Sequence, residues 1–229
     1  MLLTQLREQV LEANLELARR GLAIYTFGNA SGISREDGLV VIKPSGVPYE
    51  TMRPEDLVIT DLSGRVVEGS LKPSSDLATH LVLYRAFTAI GGVVHTHSRY
   101  ATAWAQARRD IPCLGTTHAD YFYGPVPVTA PLSDIRIAGE YEANTGHAIV
   151  ERIGAADPMQ VPAALVASHG PFCWGTSATD AAHNAVLLEE VAHMAWLSAA
   201  LAEPVAIQQA LLDRHYLRKH GANATYGQR

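Results

Sequence analysis

Three histidines next to short apolar segments have the residue type and setting of a metal site. His95 and His97 belong to residues 93–97 (VVHTH), and side chains that alternate along a strand would place both imidazoles on one face. His169 ends another apolar segment, at a turn where Gly170 lets the chain change direction. Three neutral imidazoles leave one coordination position for a substrate, as in catalytic zinc sites. Ordinary histidines near strand ends have the same spacing, so both interpretations remain open.

Three segments rich in serine and glycine precede these histidines, at residues 28–32, 43–46 and 72–76. Ser74 and Ser75 stand at the start of a predicted helix, where free N–H groups and the helix dipole favour an anion. None of the segments matches a Walker loop or a GxGxxG motif, which argues against a nucleotide site. They are candidates for holding a phosphate, although hairpin turns and a helix cap would have the same composition.

Composition narrows the class of protein. The chain has 229 residues, of which 48% are hydrophobic, and a net charge of −5, so we expect one large domain and no nucleic-acid partner. Its two cysteines, Cys113 and Cys173, form no CxxC pair, which favours a reducing compartment. The first 20 residues predict an amphipathic helix rather than a signal peptide, and no apolar run reaches the ~18 residues of a membrane span. We therefore expect a soluble cytoplasmic protein.

Hydrophobic spacing and turn residues predict the elements that must position the candidate site. Strands are expected over residues 22–27, 39–43, 57–60, 65–67, 92–97 and 164–168. Helices are expected over residues 1–20, 75–87, 100–108, 133–153 and 177–201, with Ser177 as a cap and Pro204 in the first turn of a last helix. Early hairpins followed by interspersed helices indicate an α+β domain with a mainly antiparallel sheet.

The chain closely resembles the class II aldolase/epimerase family over essentially its whole length. The segments that carry the resemblance are Asn14 and residues 28–31, 41–46, 67–69, 72–76, 94–98, 115–124, 168–172, 212–221 and 226–228. The resemblance implies a single class II aldolase-like domain over residues 1–229, with a three-layer α/β/α arrangement around a mainly antiparallel sheet. It also implies a homotetramer in which the C-terminal tail contributes to a neighbouring subunit's site.

The resemblance implies a role for each site residue. Zinc would lie on His95, His97 and His169, with Asp76 beside the ion; three imidazoles with oxygen ligands also suit Mn²⁺ or Co²⁺. From the residues alone, Asp76 could equally serve the helix N-terminus or act as a base. The residues implied to bind the substrate phosphate are Gly28, Asn29, Lys43, Ser45, Gly46, Ser74 and Ser75.

The resemblance also implies an acid/base pair, Asp120 and Tyr226. Tyr226, His215 and Arg218 would reach the site of an adjacent subunit. Without the resemblance, Asp120 would be interpreted as a loop carboxylate and Tyr226 as part of a tail without periodic pattern.

The implied reaction interconverts L-ribulose 5-phosphate and D-xylulose 5-phosphate by inverting C4. The C2 ketone of the substrate acidifies the C3 proton and not the C4 proton, so simple deprotonation at C4 is a poor route. The sequence has no fingerprint of a nicotinamide site, which argues against oxidation and re-reduction. Cleavage and re-addition across the C3–C4 bond is therefore the expected route. The nearest alternative is a class II aldolase that acts on a ketose 1-phosphate such as L-fuculose 1-phosphate; those enzymes carry a glutamate where Asp76 stands. A three-histidine metal hydrolase and a non-catalytic zinc protein are further alternatives.

Overall fold

The structure is a computed structural model that describes residues 2–222 and 224–225. The predicted acid/base residue Tyr226 therefore lies outside the described residues. The centre of the fold is a sheet of seven strands in the order β4-β3-β2-β1-β5-β7-β6, with every neighbouring pair antiparallel. The strands are β1 Asn29–Ser34, β2 Leu39–Ile42, β3 Val58–Asp61, β4 Val66–Glu68, β5 Gly92–His95, β6 Ala163–Leu165 and β7 Pro171–Gly175.

Helices cover both faces of the sheet. They are α1 Thr4–Arg19, α2 Leu77–Ala86, α3 Arg99–Ala107, α4 Thr116–Ala119, α5 Asp134–Ala138, α6 Tyr141–Ile153, α7 Ala178–Leu201 and α8 Gln209–His220. One buried apolar cluster joins the sheet to α1, α3 and α7, and a second joins its other face to α2 and α6. The predicted α+β fold with helices around an antiparallel sheet is confirmed.

Alternating side chains explain why one strand serves two cores. In β2, Val41 packs into the cluster under α1 and α7, whereas Val40 and Ile42 pack into the cluster under α2. Neighbouring Val93 and Val94 divide between the two clusters in the same way in β5. A strand buried on both faces gives a continuous apolar run, which is why these segments were recognisable in the sequence.

Two predicted strands need correction. Residues 22–27 do not form a strand; Ile24 and Phe27 are exposed, and Tyr25 has a φ of 55°. The first strand begins only at Asn29, after Gly28 with a φ of 77°, because pairing with β5 starts at that position. Residues 92–97 form a strand only as far as His95, so strict strand alternation does not position His97.

Helix boundaries differ in two further places. The helix predicted over residues 133–153 is divided into α5 and α6, with Gly139 between them. The last helix begins at Gln209 and not near Pro204, whereas α7 begins after Ser177 as predicted, with the serine hydroxyl accepting from the Asp180 N–H. Strand β7 was not predicted, and it lies between β5 and β6.

We find no helix in residues 2–222 and 224–225 whose length and apolar character would let it cross a bilayer. The segment predicted over 164–168 forms the shorter strand β6. His169 therefore lies in the turn between β6 and β7 and not at the end of a strand.

Candidate active site

The structure brings the three predicted metal ligands together. The Nε2 atoms of His95 and His97 lie 3.0 Å apart, and one nitrogen from each of His95, His97 and His169 falls within a group whose members are all within 4.8 Å of one another. Tetrahedral zinc with ligands at about 2.0–2.1 Å separates neighbouring nitrogens by roughly 3.3 Å. The cluster therefore has the dimensions of a metal centre, although it combines one buried, one intermediate and one exposed histidine.

Neighbouring groups leave the correct ring nitrogens free. The Nδ1 of His95 lies 2.9 Å from the carbonyl oxygen of Pro171, and the Nδ1 of His169 lies 3.2 Å from the Tyr141 hydroxyl. The Pro171 carbonyl can only accept, so His95 carries its proton on Nδ1 and its Nε2 lone pair can bind a metal ion; the Tyr141 hydroxyl can accept from His169 Nδ1–H in the same way. Phe172 stacks on the His95 ring at 4.1 Å between centroids and so fixes the plane of the ring.

Burial favours the neutral imidazole at His95 and His169. Burial lowers the pKa of His95 to about 3, although the carboxylate of Asp76 acts in the opposite direction. Burial is also the largest cause that lowers the pKa of His169. A neutral imidazole is the form that binds a metal ion, so the donor set fits a divalent cation at neutral pH.

Asp76 stands immediately before α2, next to the histidines but outside their group. Its Oδ2 accepts a hydrogen bond of 2.7 Å from the side-chain amide of Asn29. Burial acts to raise the pKa of Asp76, but His95, His80 and the Asn29 bond outweigh it, and the net shift is downward. An ionised carboxylate close to three imidazoles adds a negative charge that favours a cation.

A cavity of about 240 Å³ opens beside His97. It is lined by all seven residues that were predicted to bind phosphate, namely Gly28, Asn29, Lys43, Ser45, Gly46, Ser74 and Ser75, and by Thr26, Phe27, Pro44 and His97. The three predicted loops therefore come together, although one of them is largely strand β1. Amide, hydroxyl and ammonium donors in a small cavity suit an anion.

Backbone hydrogen bonds hold two of these segments side by side. The Ser45 N–H donates to the carbonyl of Lys72 at 2.9 Å, and the Ser74 N–H donates to the carbonyl of Lys43 at 3.0 Å. The turn after β2 and the segment before α2 are thus fixed relative to each other before any ligand binds. Such prior ordering lowers the entropy lost when a ligand binds.

Lys43 is the cation of this cavity. The residue is buried, its Nζ lies 4.8 Å from the centre of the Tyr49 ring, and that Nζ has carbonyl oxygens at 3.4 Å. Burial lowers the pKa of Lys43 to about 8. No carboxylate of the described residues forms an ion pair with Lys43, so its positive charge is not neutralised there and suits an anion.

Asp120 lies at the end of α4 among basic side chains of α8. Its carboxylate is 3.0 Å from His215 Nδ1, 2.9 Å from Arg218 Nη2 and 3.4 Å from Lys219 Nζ. Within residues 2–222 and 224–225, no hydrogen bond or ion pair joins Asp120 to the three histidines. Burial acts to raise the pKa of Asp120, but His215 and Arg218 lower it overall. We call Asp120, His215, Arg218 and Lys219 the α4–α8 cluster.

Sequence reasoning missed the groups that orient the ligands. Tyr141, the Pro171 carbonyl and the Phe172 ring all contact the histidines. Pro171 and Phe172 follow His169 directly, so their proximity was visible, but their contact with His95 depends on the unpredicted strand β7. Tyr141 gave no signal, because hydrophobic spacing predicts one continuous helix over residues 133–153.

Residues 8–196 match the family described as Class II Aldolase and Adducin N-terminal domain. The match covers most of the chain, including all three histidines and the whole cavity beside His97. The chain belongs to this class II aldolase family. The expected relationship is therefore confirmed at the level of the family.

Solved structures agree with this assignment. The chain is similar to an L-fuculose 1-phosphate aldolase at 26% identity and a TM-score of 0.78, over 92% of this chain and 94% of that one. An L-fuculose-1-phosphate aldolase from Thermus thermophilus has 26% identity, a TM-score of 0.67 and coverage of 86% and 96%. YgbL from Klebsiella pneumoniae has 27% identity, a TM-score of 0.73 and coverage of 92% and 97%. The family fold and the three-histidine cluster together indicate a metal-dependent enzyme.

Proposed function

We propose that the chain is an L-ribulose-5-phosphate 4-epimerase, which interconverts L-ribulose 5-phosphate and D-xylulose 5-phosphate. The observation that carries the proposal is that the seven predicted phosphate-binding residues and His97 line one cavity. A phosphosugar held there by its phosphate would lie next to His97 of the candidate metal centre. Zinc is the proposed ion, and Mn²⁺ and Co²⁺ suit the same ligands.

The residues of this chain would anchor one fragment while the other reacts. Lys43 and the N–H and hydroxyl groups of Ser45, Ser74 and Ser75 would hold the phosphate. A divalent cation on the three histidines would supply Lewis-acid stabilisation for the charge that develops when C3–C4 breaks. The anchored aldehyde fragment could then turn over without leaving, and re-addition to its opposite face inverts C4.

This chemistry needs a proton acceptor and a proton donor on opposite sides of the aldehyde. We assign these roles to Asp120 and Tyr226, which exchange roles with the direction of reaction. Contacts with His215 and Arg218 favour the ionised form of Asp120, which is the acceptor. Since no hydrogen bond or ion pair of the described residues joins Asp120 to the chain's own three histidines, we propose that the α4–α8 cluster serves the histidines of a neighbouring subunit in a homotetramer.

A ketose 1-phosphate aldolase is the second candidate, because two of the similar solved structures are L-fuculose 1-phosphate aldolases. The short side chain of Asp76, held by Asn29, favours the epimerase over this alternative. The resemblance implies that aldolases of the family carry a glutamate at this position.

A substrate comparison separates the two activities. Purified enzyme loaded with zinc is given L-ribulose 5-phosphate or L-fuculose 1-phosphate, and D-xylulose 5-phosphate and dihydroxyacetone phosphate are measured. We expect D-xylulose 5-phosphate from the first substrate and no accumulation of free aldehyde. Accumulation of dihydroxyacetone phosphate from the second, with no conversion of the first, would overturn the proposal in favour of the aldolase.

A further inference from the structure

Helix α3 contacts the segments that carry two of the three candidate metal ligands. Strand β5 ends at His95, so it does not place the other two histidines. His97 lies two residues before the start of α3. The turn that carries His169 contacts the other end of the helix, where the Ser168 N–H donates to the carbonyl of Ala105 at 2.9 Å. A shift of this nine-residue helix would therefore move both histidine segments.

The turn between β6 and β7 packs closely against α3 and the segment before it. Ser168 has a φ of 62°, which few residues other than glycine adopt. Its hydroxyl accepts a hydrogen bond of 3.2 Å from Nε of Arg108, the residue that follows α3. A Cβ at Gly170 would lie 2.8 Å from the carbonyl oxygen of Thr96, so the turn passes directly against the residue before His97. The turn, the segment before α3 and α3 itself therefore form one packed unit.

A carboxylate from another helix caps the start of α3. Glu189 of α7 accepts two hydrogen bonds, one of 2.8 Å from the Tyr100 N–H to Oε1 and one of 3.0 Å from the Ala101 N–H to Oε2. Such free N–H groups are commonly bonded by the side chain of the residue just before the helix. Here that residue is Ser98, and within the described ranges its side chain makes no capping bond. The cap of α3 is therefore a tertiary contact that joins α3 to α7.

The chemistry of this cap makes it a firm attachment. Bonds from backbone N–H groups to a carboxylate are among the stronger hydrogen bonds, and negative charge is favourable at the positive end of a helix dipole. Both oxygens of Glu189 are in use, so the carboxylate cannot turn away without losing a bond. Ala101 is fully buried, and its N–H would be costly to leave without an acceptor.

Two further contacts hold the same helices together. Glu189, Ala192 and His193 lie three and four residues apart and so share one face of α7. On that face, the carbonyl of Ala192 accepts from Trp104 Nε1 at 3.0 Å, and the His193 ring stacks on that of Tyr100 at 3.8 Å between centroids. Both of these contacts reach side chains of α3. The contact of Glu189 differs, because it binds the backbone of the turn that directly follows the His97 segment.

We propose that Glu189 is a positioning residue of the candidate metal centre: its carboxylate fixes the start of α3 against α7, and α3 thereby holds His97 and His169 at the spacing that a divalent cation requires. The inference rests on the metal centre of the proposed function but not on its substrate. In the part of the chain that the structure describes, no hydrogen bond, ion pair or ring contact joins Glu189 to the three histidines, so its effect must pass through α3.

The first test is the Zn²⁺ affinity of Glu189→Ala, measured without substrate by competition with a chromophoric chelator. With both acceptor oxygens removed, the first turn of α3 must move to find other acceptors. We expect at least about tenfold weaker binding, since loss of groups that orient metal ligands typically weakens affinity about 10- to 100-fold. Wild-type affinity in this variant would overturn the proposal.

Glu190→Ala is the matched control, because it removes an exposed carboxylate from the next position of α7. It should bind Zn²⁺ as wild type does. Equal weakening in the two variants would assign the effect to lost negative charge and would also overturn the proposal.

A second control separates positioning from general stability. Ser177→Ala removes the cap of α7 itself, where the Ser177 hydroxyl accepts from the Asp180 N–H. The unfolding temperature of the metal-free protein should fall in both Ser177→Ala and Glu189→Ala, but Zn²⁺ affinity should fall only in Glu189→Ala. A comparable loss of affinity in Ser177→Ala would show that Glu189 acts through stability alone and would refute the positioning role.

The response of the individual histidines is the most specific readout. NMR of isotope-labelled histidine nitrogens is recorded for the wild type and Glu189→Ala, both saturated with Zn²⁺. We expect the larger changes at His97 and His169, because α3 holds their segments, and the smallest at His95, which β5 and the Pro171 carbonyl hold. Unchanged spectra, or a change at His95 as large as those at the other two, would contradict the proposal.

His97→Asn separates a failure of this inference from a failure of the metal centre. If this variant binds Zn²⁺ normally, the metal centre of the proposed function is wrong and the inference fails with it. If it loses Zn²⁺ while Glu189→Ala binds as wild type, only the role of Glu189 is wrong. Circular dichroism checks folding. If Glu189→Ala does not fold, Glu189→Gln replaces it, since it keeps one acceptor oxygen and loses the other; unchanged Zn²⁺ affinity in that variant would overturn the proposal.

Discussion

The candidate site and the α4–α8 cluster contain similar chemical groups but are built in different ways. The histidines and the cavity beside His97 lie at the ends of β1, β2 and β5, in the turn between β6 and β7 and before α2, and backbone bonds such as that between Ser45 and Lys72 hold the cavity segments together. The α4–α8 cluster depends on a four-residue helix and a helix near the end of the described chain. Its Asp120 is held by ion pairs, and the Arg218 side chain there is 39% exposed.

On the proposed function, this difference separates binding from proton transfer. The groups proposed to hold a metal ion and a phosphate lie on strands β1 and β5 and in the segments next to the sheet, where packing limits movement. The groups that we propose to exchange protons with the moving fragment are Asp120, at the end of α4, and Tyr226, near the end of the sequence, and we propose that another subunit supplies them.

The largest expected effect is that of His97→Asn. Removing one of three ligands should release the metal ion, and the loss of its charge stabilisation should reduce turnover by at least about 1,000-fold. Metal content by atomic emission and turnover of L-ribulose 5-phosphate are measured together. His147→Asn, which changes an exposed histidine of α6, is the matched control and should behave as wild type. An active, zinc-replete His97→Asn enzyme would remove His97 from the site.

Asp120→Asn should reduce turnover by about 100- to 10,000-fold, the usual contribution of a positioned acid or base. Metal content should stay unchanged, because no bond among the described residues joins Asp120 to the three histidines. Asp213→Asn is the matched control, since Asp213 is a carboxylate of α8 that bonds to Tyr123 instead. A loss of zinc in Asp120→Asn would show that the two regions are not separate.

The pH dependence of kcat/KM should report Lys43, because this parameter reflects groups of the free enzyme. Below pH 8 the buried ammonium is charged and attracts the phosphate; above pH 8 it loses its proton and the attraction is lost. With a pKa of about 8, we expect kcat/KM to fall by about tenfold between pH 7 and pH 9. Lys43→Met should start lower and lack this decline; an identical decline in that variant would assign it to another group.

Mixed assemblies test whether the two regions of different subunits share a site. His95→Asn and Tyr226→Phe are each expected to be inactive, but when they are co-expressed with different tags, about a quarter of shared sites should contain two intact halves. Activity of the purified mixed species is compared with that of each variant mixed with itself. Absence of regained activity in a mixed species of confirmed composition would mean that each site is built from one chain.

The sequence predicted the candidate site better than the elements that carry it. The strand pattern placed His95 and His97 together, yet the strand ends at His95, and His97 reaches the cluster from irregular backbone. The composition of residues 28–32 is typical of a turn, but Asn29 and Ser31 belong to β1. Small polar residues occur both in turns and in strands. Local composition therefore cannot show whether a neighbouring strand is available to pair with such a segment.

The groups that orient the three histidines could not be predicted from the sequence, because their contacts also depend on distant parts of the chain. Tyr141 contacts His169 from α6, a helix whose start depends on the break at Gly139. The contacts of Asp120 with His215 and Arg218 join residues almost a hundred positions apart. Contacts of this kind depend on tertiary packing, which periodicity does not encode.

Asn29 of the cavity and His95 of the metal centre are paired across β1 and β5. The cavity and the metal centre therefore depend on the same strand register. A slip of β1 by a single residue would turn Asn29 and Ser31 to the opposite face of the sheet. It would remove the cavity wall and the partner of Asp76 in one step. Ligand binding is thus a direct report of correct folding, since zinc or phosphosugar would favour the one alignment of β1 that completes the site and would select against every shifted form.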